Sequence, residues 1–245
     1  MPPETPTRSH AIRVVLWAIG TGLVVTLLAG STPFGLLLPL NAEHHPEIPW
    51  LAVGELVFVL GFLTWLSGWG PPRSTAKARS FHLRLWRREE DRPGGSGAAV
   101  LPIIGLIIAI DLFYILASNA AGPRALPDVS GYPTTSIRIS ALIMGALLSG
   151  VGEEAGFRGV MQSQLERFGP TVAIAVTSVM FAAAHLTHGW SVVPLMPGYF
   201  LLSVLYGLLA YRTGSILPGM ALHALGDLAV AYFVTLGGHS ELLFA

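Results

Sequence analysis

Cysteine is absent from the 245-residue chain. A thiol nucleophile, a disulfide framework and a Cys-ligated metal are therefore excluded. Charge is scarce as well. Charged residues make up 11% of the chain, against about 25% in a soluble domain, and so few cannot cover a water-exposed globule. Lys plus Arg number 14, as do Asp plus Glu, so there is no net charge to recruit nucleic acid. No repeated ten-residue blocks alternate at period two, as a membrane β-barrel would require. What abounds is apolar: 52% of residues are hydrophobic. A polytopic membrane protein is the expected class.

A helix needs about 20 apolar residues to cross the hydrocarbon core. Candidate spans fall at 11–29, 48–69, 98–121, 138–165, 170–188, 198–212 and 215–237. The expected fold is thus all-α, a transmembrane helical bundle of about seven spans. At the first span Arg8 and Arg13 precede an apolar run that ends in the small residues Ala29-Gly30-Ser31, as in a cleaved signal peptide. But Phe34 to Leu40 continues apolar, and the run exceeds an h-region of about 7–15 residues. An uncleaved span is expected.

Orientation follows from Lys and Arg in short loops. Arg73, Lys77, Arg79, Arg84, Arg87, Arg88 and Arg92 crowd the loop at 70–97, which is therefore expected in the cytoplasm with the N-terminus. Arg167 and Arg212 then fall inside, Arg124 and Arg138 outside, and the C-terminus outside. Phe81, Leu83, Leu85 and Trp86 interleave with the basic residues, so this loop could also lie on an anionic leaflet. The bland reading, charges that set topology, is preferred.

Ionisable residues inside spans are expensive and default to functional hypotheses. They are Glu55, Asp111, Glu153, Glu154, Arg158, His185, His223 and Asp227. All but Glu55 and Asp111 lie between 150 and 227, where one buried polar site could satisfy them together. On an α-helix Glu154 and Arg158 share a face one turn apart and can pair. Glu153 and Arg158, five apart, diverge by about 140°. The expectation is one structural ion pair and one carboxylate, Glu153, pointing away and free for chemistry. Phe181 and His185 stand at i and i+4, separated by three alanines that permit close helix approach. Alone, His185 reads as a core histidine, and His188 is given no role. His223 and Asp227 repeat the spacing and can hydrogen bond, which would fix the imidazole tautomer.

Four routes to peptide hydrolysis in a membrane were weighed. His-Glu-x-x-His, the zinc-protease helix motif, is absent. Asp111 and Asp227 could make a paired-aspartate site, but Ala224-Leu225-Gly226-Asp227 lacks the Gly-x-Gly-Asp context. Gly94-Gly95-Ser96-Gly97 matches a serine-protease motif only within a Gly-rich loop. The fourth route, a glutamate that activates water with help from histidines, uses the residues this chain carries.

Glu153-Glu154-x-x-x-Arg158, Phe181-x-x-x-His185 and His223-x-x-x-Asp227 resemble the ordered motifs of the CPBP family of intramembrane proteases. That family includes CAAX prenyl endopeptidases and bacteriocin-processing or immunity proteins. The resemblance covers roughly 138–237 and implies a catalytic helical core there. Residues 1–137 would be N-terminal transmembrane helices and 238–245 a tail. By the resemblance, Glu153 is the general base for water, Glu154 and Arg158 support the site, and Phe181 supports the substrate pocket. His185 and His223 position water or stabilise the oxyanion. Asp227 departs from the Asn of many members. It then either donates to the oxyanion when protonated or orients His223.

No cofactor is favoured. Zinc is the alternative, with Glu153, His185, His223 and Asp227 as N and O ligands. The expected function is endopeptidase action on a membrane-embedded or lipidated peptide: a prenylated C-terminus, a leader peptide or another membrane segment. The bilayer is the other partner, and no nucleic acid is expected. A non-enzymatic membrane adaptor or immunity protein on the same scaffold is the alternative function, and an ion or proton transporter the third. One tension remains at this level. The topology puts Glu153 toward the cytoplasmic half of its span and His185 near the outer end of the next.

Overall fold

The computed structural model of the chain describes residues 8–29, 50–66, 99–120, 147–188 and 190–230. Among them there is no strand. We number the helices α1 (Arg8–Ala29), α2 (Trp50–Leu66), α3 (Leu101–Ala120), α4 (147–168), α5 (Pro170–Ala184), α6 (Met196–Thr213) and α7 (Leu217–Val230). Each expected span falls on one of these helices. Three stretches are long and apolar enough to cross a bilayer: Ser9–Ala29, Pro170–Thr187 and Val192–Thr213. The loop at 70–97, Arg124, Arg138 and the tail at 238–245 lie outside the described residues.

Breaks between helices are written in local chemistry. Gly169 takes φ 101°, a conformation that favours glycine, and Pro170 then opens α5 at its first turn. Gly214 closes α6 in the left-handed conformation. Ser215 accepts a hydrogen bond from the Leu217 N–H at 3.2 Å, satisfying a donor at the start of α7. Several hydroxyls within the helices are satisfied by their own backbone. Thr21 donates to the Trp17 carbonyl at 2.7 Å and Thr64 to that of Leu60 at 2.6 Å.

Helix α4 is the centre of the assembly. Its Leu148, Ala155 and Val160 pack with Val25 and Ala29 of α1, Val59 and Leu63 of α2, Ala210 of α6 and Met220 of α7. Its Phe157, Met161 and Leu165 pack with Ala18 of α1 and with Ala173 and Phe181 of α5. A third cluster joins Ile107 of α3 to Leu205, Tyr206 and Leu209 of α6. Large apolar side chains remain outward, such as Phe113 at 72% and Trp17 at 62% exposure. That outward face is what lipid requires and water would penalise.

Glycine lets the helices approach. A Cβ on Gly156 of α4 would run into the Thr26 hydroxyl and meet the Gly22 carbonyl of α1 at 2.5 Å. A Cβ on Gly22 would meet Met161 at 2.8 Å. A Cβ on Gly150 would overlap the α7 backbone at Ala224. Small residues at crossing points allow such contact between membrane helices.

The middle of α4 is not α-helical. Residues 147–153 are α, Glu154–Gln162 form a π-helix, Ser163–Leu165 are α and Glu166–Phe168 close as a 3-10 turn. All nine π residues are buried. A π segment this long is unusual, and single π turns recur at functional sites.

Candidate active site in the π segment of α4

The π geometry corrects the expected placement of Glu153. Bonding from i to i+5 puts more residues in each turn, so a five-residue step returns close to its starting face. Glu153 caps the segment at its N-terminal side. It therefore does not diverge from Glu154 and Arg158. Both carboxylates reach the same imidazole. Glu154 Oε1 lies 3.1 Å from His223 Nδ1, and Glu153 Oε2 lies 3.8 Å from His223 Nε2.

Glu154 and Arg158 form the expected pair, at 2.8 Å and with both side chains fully buried. The guanidinium has more partners than a pair supplies. Its Nη2 donates to the Ser203 carbonyl at 3.1 Å and to the Ser203 hydroxyl at 2.7 Å on α6. The Phe181 ring lies 4.8 Å and the Tyr206 ring 5.4 Å from its central carbon. Aromatic faces favour a desolvated cation. Arg158 thus links α4, α5 and α6 in one cluster.

Glu154 Oε1 accepts from Arg158 and His223 at once. A carboxylate can only accept, so His223 Nδ1 carries the proton of this bond. Nε2 is left facing Glu153 and Asp227. Asp227 Oδ2 stands 3.8 Å from Nε2, so the two are close but not hydrogen-bonded. The residue that orients His223 is therefore Glu154, and the expected hydrogen bond from Asp227 is replaced by a longer contact. The Tyr206 ring stacks on His223 at 5.0 Å and fixes its plane.

His185 joins through aromatic packing. Its Nδ1 lies 2.8 Å from the Phe181 carbonyl, and its ring lies 4.6 Å from Phe181 and 4.0 Å from Tyr199. Phe181 in turn sits 6.0 Å from the His223 ring and 5.2 Å from Phe157. Phe181 is thus a buried hub between the two histidines and the arginine. The difference in depth between Glu153 and His185 disappears. Antiparallel helices meet at Gly169, and Glu153 and His185 stand equally far from that turn. The contact of Phe157 with Phe181 sets the register.

Exposure grades across the set. The Glu154 side chain is 0% exposed, His223 11%, Glu153 20% and Asp227 33%. The site opens on the side of Glu153 and Asp227. The Ser149 hydroxyl donates to Glu153 Oε1 at 3.0 Å, which leaves Oε2 buried and without a hydrogen-bond partner. That orphaned oxygen and Oδ2 of Asp227 each stand 3.8 Å from Nε2 of His223.

Among the described residues no group of three His, Asp or Glu side chains is arranged to hold a metal ion. Of the residues named for zinc, Glu153, His223 and Asp227 stand together, while His185 packs on Phe181 and Tyr199.

Five participants were not in the expected set: Ser149, Ser203, Tyr199, Tyr206 and Asp111. Ser203, Tyr199 and Tyr206 carry no helical charge signal that would single them out. Asp111 did carry one: it is the single acidic or basic residue of α3. Its carboxylate lies against α7 at Gly226, where a Cβ would meet Oδ2 at 2.9 Å. Gly226 stands between His223 and Asp227 in sequence, so Asp111 borders the site from outside the motif-bearing helices.

Residues 135–229 match the family model described as type II CAAX prenyl endopeptidase Rce1-like. The match takes in α4 to α7 and every residue of the polar set except Asp111. No curated protein and no solved structure matches the chain. Over residues 135–229 the chain is thus similar to the Rce1-like CAAX prenyl endopeptidases, and its long apolar helices are those of an integral membrane protein.

Proposed function

We propose that the protein is an intramembrane endopeptidase in which Glu153 activates the attacking water. The observation that carries this reading is the division of labour around His223. Glu154 holds Nδ1 while the orphaned Glu153 Oε2 faces Nε2. Glu153 takes a proton from water held at Oε2, and the resulting hydroxide attacks the peptide carbonyl. His223, whose Nδ1–H is held by Glu154, acts here as the doubly protonated imidazolium, and its Nε2–H stabilises the tetrahedral oxyanion together with a protonated Asp227. Glu153 then passes its proton to the leaving amine as the carbon–nitrogen bond breaks. Excluding water strengthens each of these interactions. Arg158 compensates the Glu154 charge, so that Glu154 orients the imidazole without competing for the water proton. His185 serves as a second imidazole at the edge of the site.

Hydrolysis by this route is metal-independent. Activity should survive exhaustive chelation, and loss restored by zinc would contradict it. The substrate is a membrane-embedded or lipidated peptide, and the chain is multi-pass with its N-terminus and the 70–97 loop in the cytoplasm. The direct test compares processed protein termini in cell membranes with and without the protein. New termini that depend on its presence are expected. An unchanged set of termini would sink the protease reading and favour an adaptor.

A further inference from the structure

A groove runs between α5 and α6, away from the catalytic cluster. It encloses about 360 Å³, within the range of ligand sites, about 300–1,000 Å³. Along α6 its wall is Phe200, Val204, Leu208 and Arg212, one residue every fourth position and hence one stripe. Thr171 and Ile174 of α5 face them. The wall is apolar until its last turn, where Tyr211 and Arg212 stand opposite the start of α5.

The dimensions suit a lipid chain. Phe200 to Arg212 spans about 18 Å at the α-helical rise, and one leaflet of hydrocarbon is about 15 Å deep. A groove of this length, dry along its wall and cationic at one end, reproduces the profile of a single phospholipid leg. Arg212 is exposed and makes no ion pair among the described residues. Arg167 ends α4 just before Pro170, so a second exposed cation stands at the same end. In the proposed topology that end is cytoplasmic, the leaflet where anionic lipids reside.

We propose that the α5–α6 groove is a binding site for one anionic phospholipid, with an acyl chain along the Phe200–Leu208 stripe and the headgroup phosphate on Arg212. This site does not depend on the protease reading. A guanidinium forks onto phosphate oxygens with directional hydrogen bonds, which a choline headgroup's neutral net charge matches less well.

The test uses the purified full chain in detergent. It is incubated with equal amounts of phosphatidylglycerol and phosphatidylcholine of identical acyl chains, and retained lipids are counted by native mass spectrometry. One phosphatidylglycerol per chain is expected, preferred about five-fold. That is the equivalent of about 1 kcal/mol for one arginine at an anionic surface. Arg212→Gln, a surface change that spares the fold, should bring the preference to about one. Val204→Trp should remove the retained lipid by filling the groove. Equal retention of both lipids by the wild type, or an unchanged preference in Arg212→Gln, would overturn the proposal. So would a wild-type dimer that Val204→Trp dissociates, which would assign the groove to a second copy. A farnesylated peptide that displaces the lipid from the wild type would assign it to substrate and overturn the proposal as well.

Discussion

Glu154 and Glu153 are neighbours with different surroundings, and the proposed mechanism rests on that difference. Glu154 is sealed between Arg158 and His223, with no route to water. Glu154→Gln leaves Arg158 buried with a neutral partner, and breaking such a pair costs about 3–5 kcal/mol. Denaturant unfolding of Glu154→Gln should show a loss of that size, with activity falling alongside because a neutral amide oxygen holds the imidazole more weakly than a carboxylate does. A variant as stable as the wild type would contradict the sealed-pair description. Asp227 gives a second test at this scale. It stands 3.8 Å from Nε2, too far for a hydrogen bond that would orient the ring, and the proposed mechanism gives it donation to the oxyanion instead. Asn donates without needing a proton, and Asp227→Asn should keep activity within about ten-fold. Asp227→Ala should lose about 10²–10³-fold in kcat, the usual cost of one oxyanion donor. Steady-state rates of the two variants decide it: a folded but inactive Asn variant would contradict donation. Much of this site was legible in residue spacing. Two acids and an arginine in an apolar run, and histidines at i and i+4 to a partner, were found because charge in a lipid-embedded helix is conspicuous. Ser203, Tyr199 and Tyr206 were not, because hydroxyls and aromatics are ordinary in such helices. Asp111 was conspicuous but unplaced, since which helix faces α7 is a tertiary fact.

At the scale of elements the π segment is the decisive feature. An α-helical wheel turns Glu153 away from Arg158, and the π turn brings it back to the imidazole. Nothing in the local residue order separates a π turn from an α turn here; its geometry follows from packing against α1. The register of α4 on α5, by contrast, could have been read directly, because Glu153 and His185 are equidistant from the Gly169 break. Helix α1 belongs to this element although it bears no motif. Its Gly22 and Thr26 backbone lies against Gly156, so a Cβ at 156 meets main-chain atoms that cannot rotate away. Gly156→Ala should destabilise by about 1–3 kcal/mol or more, as overpacking does. Gly105→Ala, with nothing within 4 Å of its Cβ, should be neutral or stabilising, since glycine inside a helix costs about 1 kcal/mol relative to alanine. Equal stability of the two variants would contradict the close crossing of α1 and α4.

For the whole molecule, the scarcity of charge made the helical membrane class evident, and the placement of the few charges suggested its orientation. The number of crossings was less accessible, because three helices pass on length and hydropathy while α3 and α7 are shorter. A multi-helix bundle shields short helices and buried acids that an isolated span could not carry. Orientation has its own test. The chain contains no cysteine, so a single Cys placed at Ser74 is the sole thiol. It should resist an impermeant reagent in intact cells and react once the membrane is opened. Ready labelling from outside would reverse the topology, and with it the leaflet of the lipid groove.

The central claim is that Glu153 takes the proton of the attacking water. Its most direct test is turnover by purified Glu153→Gln on a substrate identified from the processed termini, with unfolding measured on the same sample. The amide keeps the shape of the side chain and can still accept from Ser149, but it cannot act as the base. The account predicts wild-type stability with turnover lower by at least about 10²-fold, the scale of a general base. Turnover at the wild-type rate in a folded Glu153→Gln protein would contradict it.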